Sequence, residues 1–263
     1  MTPLADFPVA AFARIRFVLT DMDDTLTFRG RLSSDAYAAL ERLQRAGIIV
    51  LPITAAPAGW CDLMVRQWPV DAVIGENGGF YFACSPNAMT IRREFWLDPA
   101  KRTRSMDRLE IAAQHILAAN PGMRPASDQP FRQTTWAIEP SGDGAHRAEL
   151  ADKAAAAWRA AGARSTINSL WVLGWFGEFD KLAMTLRMGR ELFAADLSTN
   201  RETAVYVGDS LNDEPMFRHF PYSVGVATVT NHLEQMETRP RWITKGPGGS
   251  GFVEVAAAVL AGR

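Results

Sequence analysis

The stretch FVLTDMDDTLT, residues 17–27, sets three carboxylates, Asp21, Asp23 and Asp24, within four residues at the tip of an apolar run. Like charges that close repel one another and cost stability. The crowding becomes favourable when a divalent cation sits among the carboxylates, and hard oxygen ligands of this kind suit Mg2+. Two further apolar runs end in polar groups that could join such a site. IIVLPIT (48–54) closes on Thr54, and TAVYVGDSLND carries Asp209 and Asp213 just past its end. Ligands of parallel α/β sheets bind outside the carboxyl ends of the strands, so these three ends are expected to converge.

The elements that must position them read as alternating strand and helix. Residues 16–20 form a strand, and a helix follows from Ser33 or Ser34 to Ala46, stopped by Gly47. A second strand covers 48–54, a helix opens at Pro57, and 71–79 is a strand leaving into a turn. The pattern resumes with a helix over 180–195, strands at 203–209, 222–227 and 241–244, and a last helix from Gly251. Continuous apolar strands separated by helices mean a parallel sheet covered on both faces. Between them the texture changes. FRQTTWAIE (131–139) and STINSLWVLGW (165–175) alternate polar and apolar residues, as half-exposed antiparallel strands do, and helices at 103–119 and 145–161 flank them. The expected architecture is therefore α/β: a Rossmann-like core of residues 1–82 and 178–263, with 83–177 inserted as an α+β module.

With 263 residues and 48% hydrophobic content, the chain is long enough for two domains. A net charge of −1 gives no global field for nucleic acid or an anionic membrane. The basic cluster Arg92, Arg93, Lys101, Arg102, Arg104 and Arg108 is interleaved with acids and reads as a solvated face. Cys61 and Cys84 are in no metal-ligand spacing, no apolar run approaches a membrane span, and the first residues lack a secretory pattern. These features lead us to expect a cytoplasmic protein, with monomer and homodimer both open. His115, His146, His219 and His232 share no ligand spacing, and Gly248, Gly249 and Gly251 read as a helix-entry turn.

DMDDT matches the DxDxT motif of the haloacid dehalogenase-like phosphatases, and GDSLND matches their fourth motif, with Thr54 and Lys181 at the second and third. GENGG (75–79) and the GPGGSGFVEV tail resemble the Cof-type branch, and the insert stands where that branch carries its C2B cap. The resemblance covers the whole chain. It implies that Asp21 is the nucleophile, forming an aspartyl-phosphate while Mg2+ offsets the repulsion between anions. Asp23 would protonate the leaving alkoxide and then activate water, its backbone carbonyl also meeting the metal. Thr54 would donate to a phosphoryl oxygen and Lys181 supply positive charge. Asp209 would be a metal ligand and Asp213 a ligand through water or a support for one. Thr25 and Asn212 would orient the loops. Two departures stand out: Asp24 replaces the usual glycine and reads as a solvent-facing turn residue, and Ala55-Ala56-Pro57 follows Thr54 where the family often has Gly-Arg.

The expected substrate is a small phosphorylated metabolite, a sugar phosphate or something like it. Trp136, Trp171 and Trp175 offer flat faces in the insert, and Arg132, Glu139, Asn168 and Ser169 offer hydrogen bonds; Asn168 and Glu139 are the candidate substrate contacts. Leu170, Val172 and one set of tryptophans should instead be core. The same scaffold admits a sugar phosphomutase, and, from another class, a non-catalytic metabolite-binding or regulatory protein.

Overall fold

The computed structural model describes residues 1–85, 90–168 and 170–262. In chain order its strands are β1 (Thr2–Pro3), β2 (Phe17–Thr20), β3 (Ile49–Pro52), β4 (Val73–Gly75), β5 (Phe80–Cys84), β6 (Ile91–Phe95) and β7 (Met123–Pro125). After them come β8 (Trp136–Pro140), β9 (Arg164–Ile167), β10 (Val172–Trp175), β11 (Ala204–Gly208), β12 (Tyr222–Gly225) and β13 (Trp242–Ile243). The helices are α1 (Val9–Phe12), α2 (Ser34–Arg45), α3 (Ala58–Gln67), α4 (Pro99–Ala119), α5 (Gly144–Ala160), α6 (Lys181–Phe193), α7 (Glu214–His219) and α8 (Gly248–Ala261).

The main sheet has six parallel strands in the order β1-β13-β12-β11-β2-β3. Every residue of β2 is buried, which explains its unbroken apolar run: Val18 faces a cluster that includes Leu40, Leu43 and Phe252, while Phe17 and Leu19 face one that includes Met184, Met188 and Phe220. The paired register Val18↔Val50 and Val18↔Val205 sets the carboxyl ends of β2, β3 and β11 side by side. Each of those ends leads into a motif singled out above. That is what the topology contributes to chemistry.

A three-stranded antiparallel sheet, β4-β5-β6, adjoins β3 through the Ile53↔Ile74 pairing. The insert's own sheet is antiparallel, β7-β8-β10-β9, with α4 and α5 packed on one face through Leu109, Ile116, Trp136, Ile138, Trp158 and Val172. The other face carries Ala137, Leu173 and Trp175, which cluster with Ala126, Phe179 and the core residue Ala55. The alternation read from the sequence thus has two buried sides, one against helices and one against the core.

Three expectations need correction. FRQTTWAIE is a strand only from Trp136, because the 133–135 backbone N–H groups are consumed by a buried carboxylate described below rather than by a sheet neighbour. STINSLWVLGW is a hairpin, β9 and β10, whose turn is held by Asn168: its Oδ1 accepts from Leu170 N at 2.9 Å and Trp171 N at 2.6 Å. Leu170 is exposed at that turn rather than core, and Ser169 lies outside the described residues. Val172, by contrast, is fully buried as expected. No helix among the described residues is long and apolar enough to cross a membrane.

Candidate active site

Asp21 leaves the sheet with its N–H on Val207 O at 2.8 Å, so β11 fixes where the carboxylate points. Lys181 is the first residue of α6, whose N-cap Asp180 accepts from Ala183 N at 2.8 Å. Gly78 lets this helix start approach: a Cβ there would meet Asp180 O at 2.1 Å. Lys181 Nζ then donates to Asp21 Oδ1 at 2.5 Å, Asp213 Oδ1 at 2.6 Å and Asn212 Oδ1 at 3.3 Å. Asp209 Oδ1 accepts from Thr25 Oγ1 at 3.0 Å, which places Thr25 as a holder of that carboxylate.

Asp213 is saturated. Its Oδ2 accepts from Asp209 N and Ser210 N, each at 3.0 Å, and its Oδ1 accepts from both Lys181 and Tyr206 Oη at 2.5 Å. Of the two roles expected for it, this engagement favours support. One oxygen each of Asp21, Asp209 and Asp213 nevertheless lies within 4.8 Å of the others, the one such grouping of three ligand-type side chains among the described residues. Three carboxylates, all 5% exposed or less, face one ammonium. A donor set of oxygen alone with negative charge in excess fits a hard divalent cation.

Burial dominates the proton affinities. It raises Asp21 well above the usual carboxylate range despite Lys181, with Asp213, Asp209 and Asp23 pushing the same way. Asp209 is pushed up to about 8 by burial and then Asp213, and Asp23 up to about 6 by burial and then Asp24. Burial works against the Lys181 ammonium, but Asp21 and Asp213 outweigh it and hold it above the usual lysine range. Each of these carboxyls binds its proton more tightly folded than unfolded, where Asp titrates near about 4. The native state therefore holds extra protons, and the metal-free protein loses stability as pH rises from about 4 to about 8. A bound cation cancels that loss, so the rise in melting temperature on adding Mg2+ should grow between pH 5 and pH 8 in thermal unfolding against EDTA. A Mg2+ shift that shrinks over this window would contradict a cation at these carboxylates.

Thr54 is fully buried beyond β3; its Oγ1 accepts from Ala56 N at 3.0 Å, which leaves the hydroxyl proton to donate. Asp24 is half-buried rather than freely exposed, at φ +54°, the conformation a glycine would take without strain, and accepts from Arg29 N. Asn168 faces a cleft of about 260 Å3 between insert and core, lined also by Asp152, Ser210, Leu211, His232 and Gln235. Glu139 is not brought to the carboxylates by any described contact; Arg124 grips it with bonds of 3.0 and 2.8 Å. Trp136 turns into the insert's interior with Nε1 on Glu110, whereas Trp175 and half-buried Trp171 lie on the side facing Ala55.

Three groups, Tyr206, Asn77 and Glu76, escaped the sequence reading of this site. Tyr206 anchors Asp213, and Asn77 bridges Thr54 and Asn212. Glu76 is a fully buried carboxylate at the insert boundary. Arg132, read as a free hydrogen-bonding group, is locked: it pairs with Asp128 at 3.0 and 2.7 Å and donates to Ala55 O at 3.1 Å. An arginine thus does reach the loop after Thr54, but from the insert. Only the GENGG glycines hinted at Glu76 and Asn77, by flagging unusual backbone.

No family model and no curated protein matches the chain. Solved structures do. The C-terminal domain of C. albicans trehalose-6-phosphate phosphatase is similar with a TM-score of 0.71 at 12% identity, over 99% of this chain and 98% of that one. A HAD/COF-like hydrolase from Plasmodium vivax gives 0.70 at 12% identity, over 97% and 100%. The sucrose-phosphatase from Synechocystis, in complex with sucrose and phosphate, gives 0.63 at 14% identity, over 92% and 97%. The fold is that of the haloacid dehalogenase-like hydrolases, a Rossmann-like core carrying an inserted α+β unit.

Proposed function

We propose that the chain is a Mg2+-dependent phosphatase of the Cof-type branch that hydrolyses a small phosphorylated metabolite, with residues 83–177 as its cap. The observation that carries this reading is the meeting of Asp21, Lys181 and Asp209, which stand far apart in sequence, around one buried point. Asp21 attacks phosphorus and becomes the aspartyl-phosphate; Lys181 steadies the attacking carboxylate and the transferring group. Asp23, with its raised proton affinity, holds the proton that the leaving oxygen takes, then accepts one from the incoming water. Thr54 holds a phosphoryl oxygen. Asp21, Asp209 and the Asp23 backbone carbonyl would hold the ion, with Asp213 keeping Asp209 and Lys181 in place. The ion, when bound, neutralises charge on the phosphoryl oxygens.

A phosphorylated sugar is the substrate class best supported. The cleft at Asn168 is lined by Asp152, Ser210, His232 and Gln235, groups that hydrogen-bond hydroxyls. The names of two structural neighbours, trehalose-6-phosphate phosphatase and sucrose-phosphatase, point the same way. A larger groove of about 530 Å3 between α4 and α5 contains no carboxylate and has no part in the chemistry.

The test is phosphate release by purified protein from p-nitrophenyl phosphate, followed by a panel of phosphorylated metabolites. EDTA should lower the rate at least about a hundred-fold, with recovery on excess Mg2+. Full activity in EDTA would remove the ion from the account. Isomerised sugar phosphate without net phosphate release would make the protein a mutase.

A further inference from the structure

We propose that the dipeptide Glu76-Asn77 is a positioning element that couples docking of the insert to the alignment of Thr54 and Asn212, with Glu76 as its anchor. The inference rests on the reading of Thr54 and Lys181 as catalytic groups. Glu76 and Asn77 both take left-handed backbone, at φ +46° and +61°, although neither is glycine. Such backbone persists only where its surroundings over-determine it, and here they do.

The Glu76 carboxylate is completely buried and accepts six hydrogen bonds. Oε1 takes Ala58 N at 3.1 Å and Gln133 N at 2.8 Å. Oε2 takes Thr134 N at 2.7 Å, Thr134 Oγ1 and Thr135 N at 2.8 Å, and Thr135 Oγ1 at 3.0 Å. Five of the six donors belong to the insert. No ion pair with Lys or Arg reaches Glu76 among the described residues, so its charge is met by these oriented dipoles. A buried anion held in this way is costly to disturb, because each donor set free is an unsatisfied group.

The neighbouring residue reaches the other way. Asn77 N donates to Thr54 O at 3.0 Å, and Asn77 Oδ1 accepts from Asn212 Nδ2 at 3.4 Å. Asn212 Oδ1 in turn accepts from Lys181. Glu76 N donates to Ala56 O at 3.0 Å, one residue beyond the alanine whose carbonyl Arg132 grips. Arg132 also donates to Thr135 Oγ1 at 3.0 Å, closing the ring from the insert side. One strained dipeptide therefore faces the insert through its first side chain and two catalytic loops through its second residue.

The experiment compares E76Q and the double variant T134V/T135V in the full chain. The first places an amide NH2 among N–H donors; the second removes two buried hydroxyl donors, and with Thr135 Oγ1 the acceptor of one Arg132 bond, while conserving side-chain shape. Both should lower kcat for p-nitrophenyl phosphate about tenfold with KM changed less than about threefold. Both should also speed amide exchange at Asn77 and Ala56, whose N–H groups bond to Thr54, by about tenfold or more. Combining T134V/T135V with N77A should cost less than the product of the separate losses. A lower melting temperature with wild-type kcat and wild-type exchange at both amides would overturn the coupling and leave Glu76 a purely structural staple. If the wild-type protein releases phosphate from nothing tested, the phosphatase reading fails, and the exchange rates alone decide the coupling. Should E76Q not fold, T134V/T135V carries the same comparison.

Discussion

On the proposed mechanism, Asp21→Asn should lower phosphate release at least about ten-thousand-fold and, unlike most losses of function, should leave a more heat-stable protein. The rate loss follows from chemistry. An amide oxygen is a poor nucleophile towards phosphorus, and removal of a covalent nucleophile costs orders of magnitude because the remaining groups act only in concert with it. The stability gain follows from the surroundings. Burial and three neighbouring carboxylates raise the proton affinity of Asp21 far above its unfolded value, so its charge opposes folding at neutral pH. Asparagine keeps the shape without that charge, and its side-chain oxygen can still accept from Lys181. The gain should be present at pH 7.5 in EDTA and shrink as the pH falls and the native aspartate takes up its proton. Acid-quenched wild-type protein incubated with phosphorylated substrate should carry a hydroxylamine-sensitive phosphoryl label, and D21N none. Label of equal yield on D21N would place the nucleophile elsewhere.

Much of this site was legible because parallel-sheet topology does most of the positioning. Once 17–20, 49–52 and 204–208 are strands of one sheet, Asp21, Thr54 and Asp209 must emerge at the same edge, whatever the intervening chain does. Lys181 was legible through the resemblance to the family's third motif, which expects a lysine at a helix start. What stayed hidden has partners distant in sequence and no periodic signal. Glu76 meets donors 57 to 59 residues away, and Tyr206 reads as one more apolar residue of a buried strand until its hydroxyl is seen on Asp213. The segment 131–135 misled because alternation of polar and apolar residues assumes a sheet neighbour, and here a carboxylate takes the N–H groups instead. Phe80–Cys84 was masked by the boundary drawn near residue 83; its aromatic run packs against the core on both faces, with Phe80 and Phe82 in one cluster and Tyr81 and Ala83 in the other.

The second large effect belongs to Lys181. Among the described residues its ammonium is the one cation bonded to both Asp21 and Asp213, at 2.5 and 2.6 Å, and its side chain is 1% exposed. Lys181→Met fills the space with an uncharged chain, so Asp213 loses a donor and Asp21 its counter-charge. The turnover rate should fall about a thousand-fold, in the range seen when a positioned electrostatic group is removed from a buried reaction centre. Breaking a buried pair by deleting one partner also destabilises by about 3–5 kcal/mol where the other charge stays ionised. That condition gives the pH signature. Without Lys181, Asp21 binds its proton still more tightly than in the wild type, so the mutant's deficit in melting temperature should be large at pH 8 and smaller at pH 5. Lys181→Arg restores the charge but not the fit, since a larger planar guanidinium does not fill the space of a compact tetrahedral ammonium held at 2.5 and 2.6 Å from two buried carboxylates. It should recover stability at pH 8 more completely than turnover. A K181M protein with the same deficit at both pH values would show that Lys181 fills space rather than balancing charge, and near-normal turnover would remove it from the catalytic set.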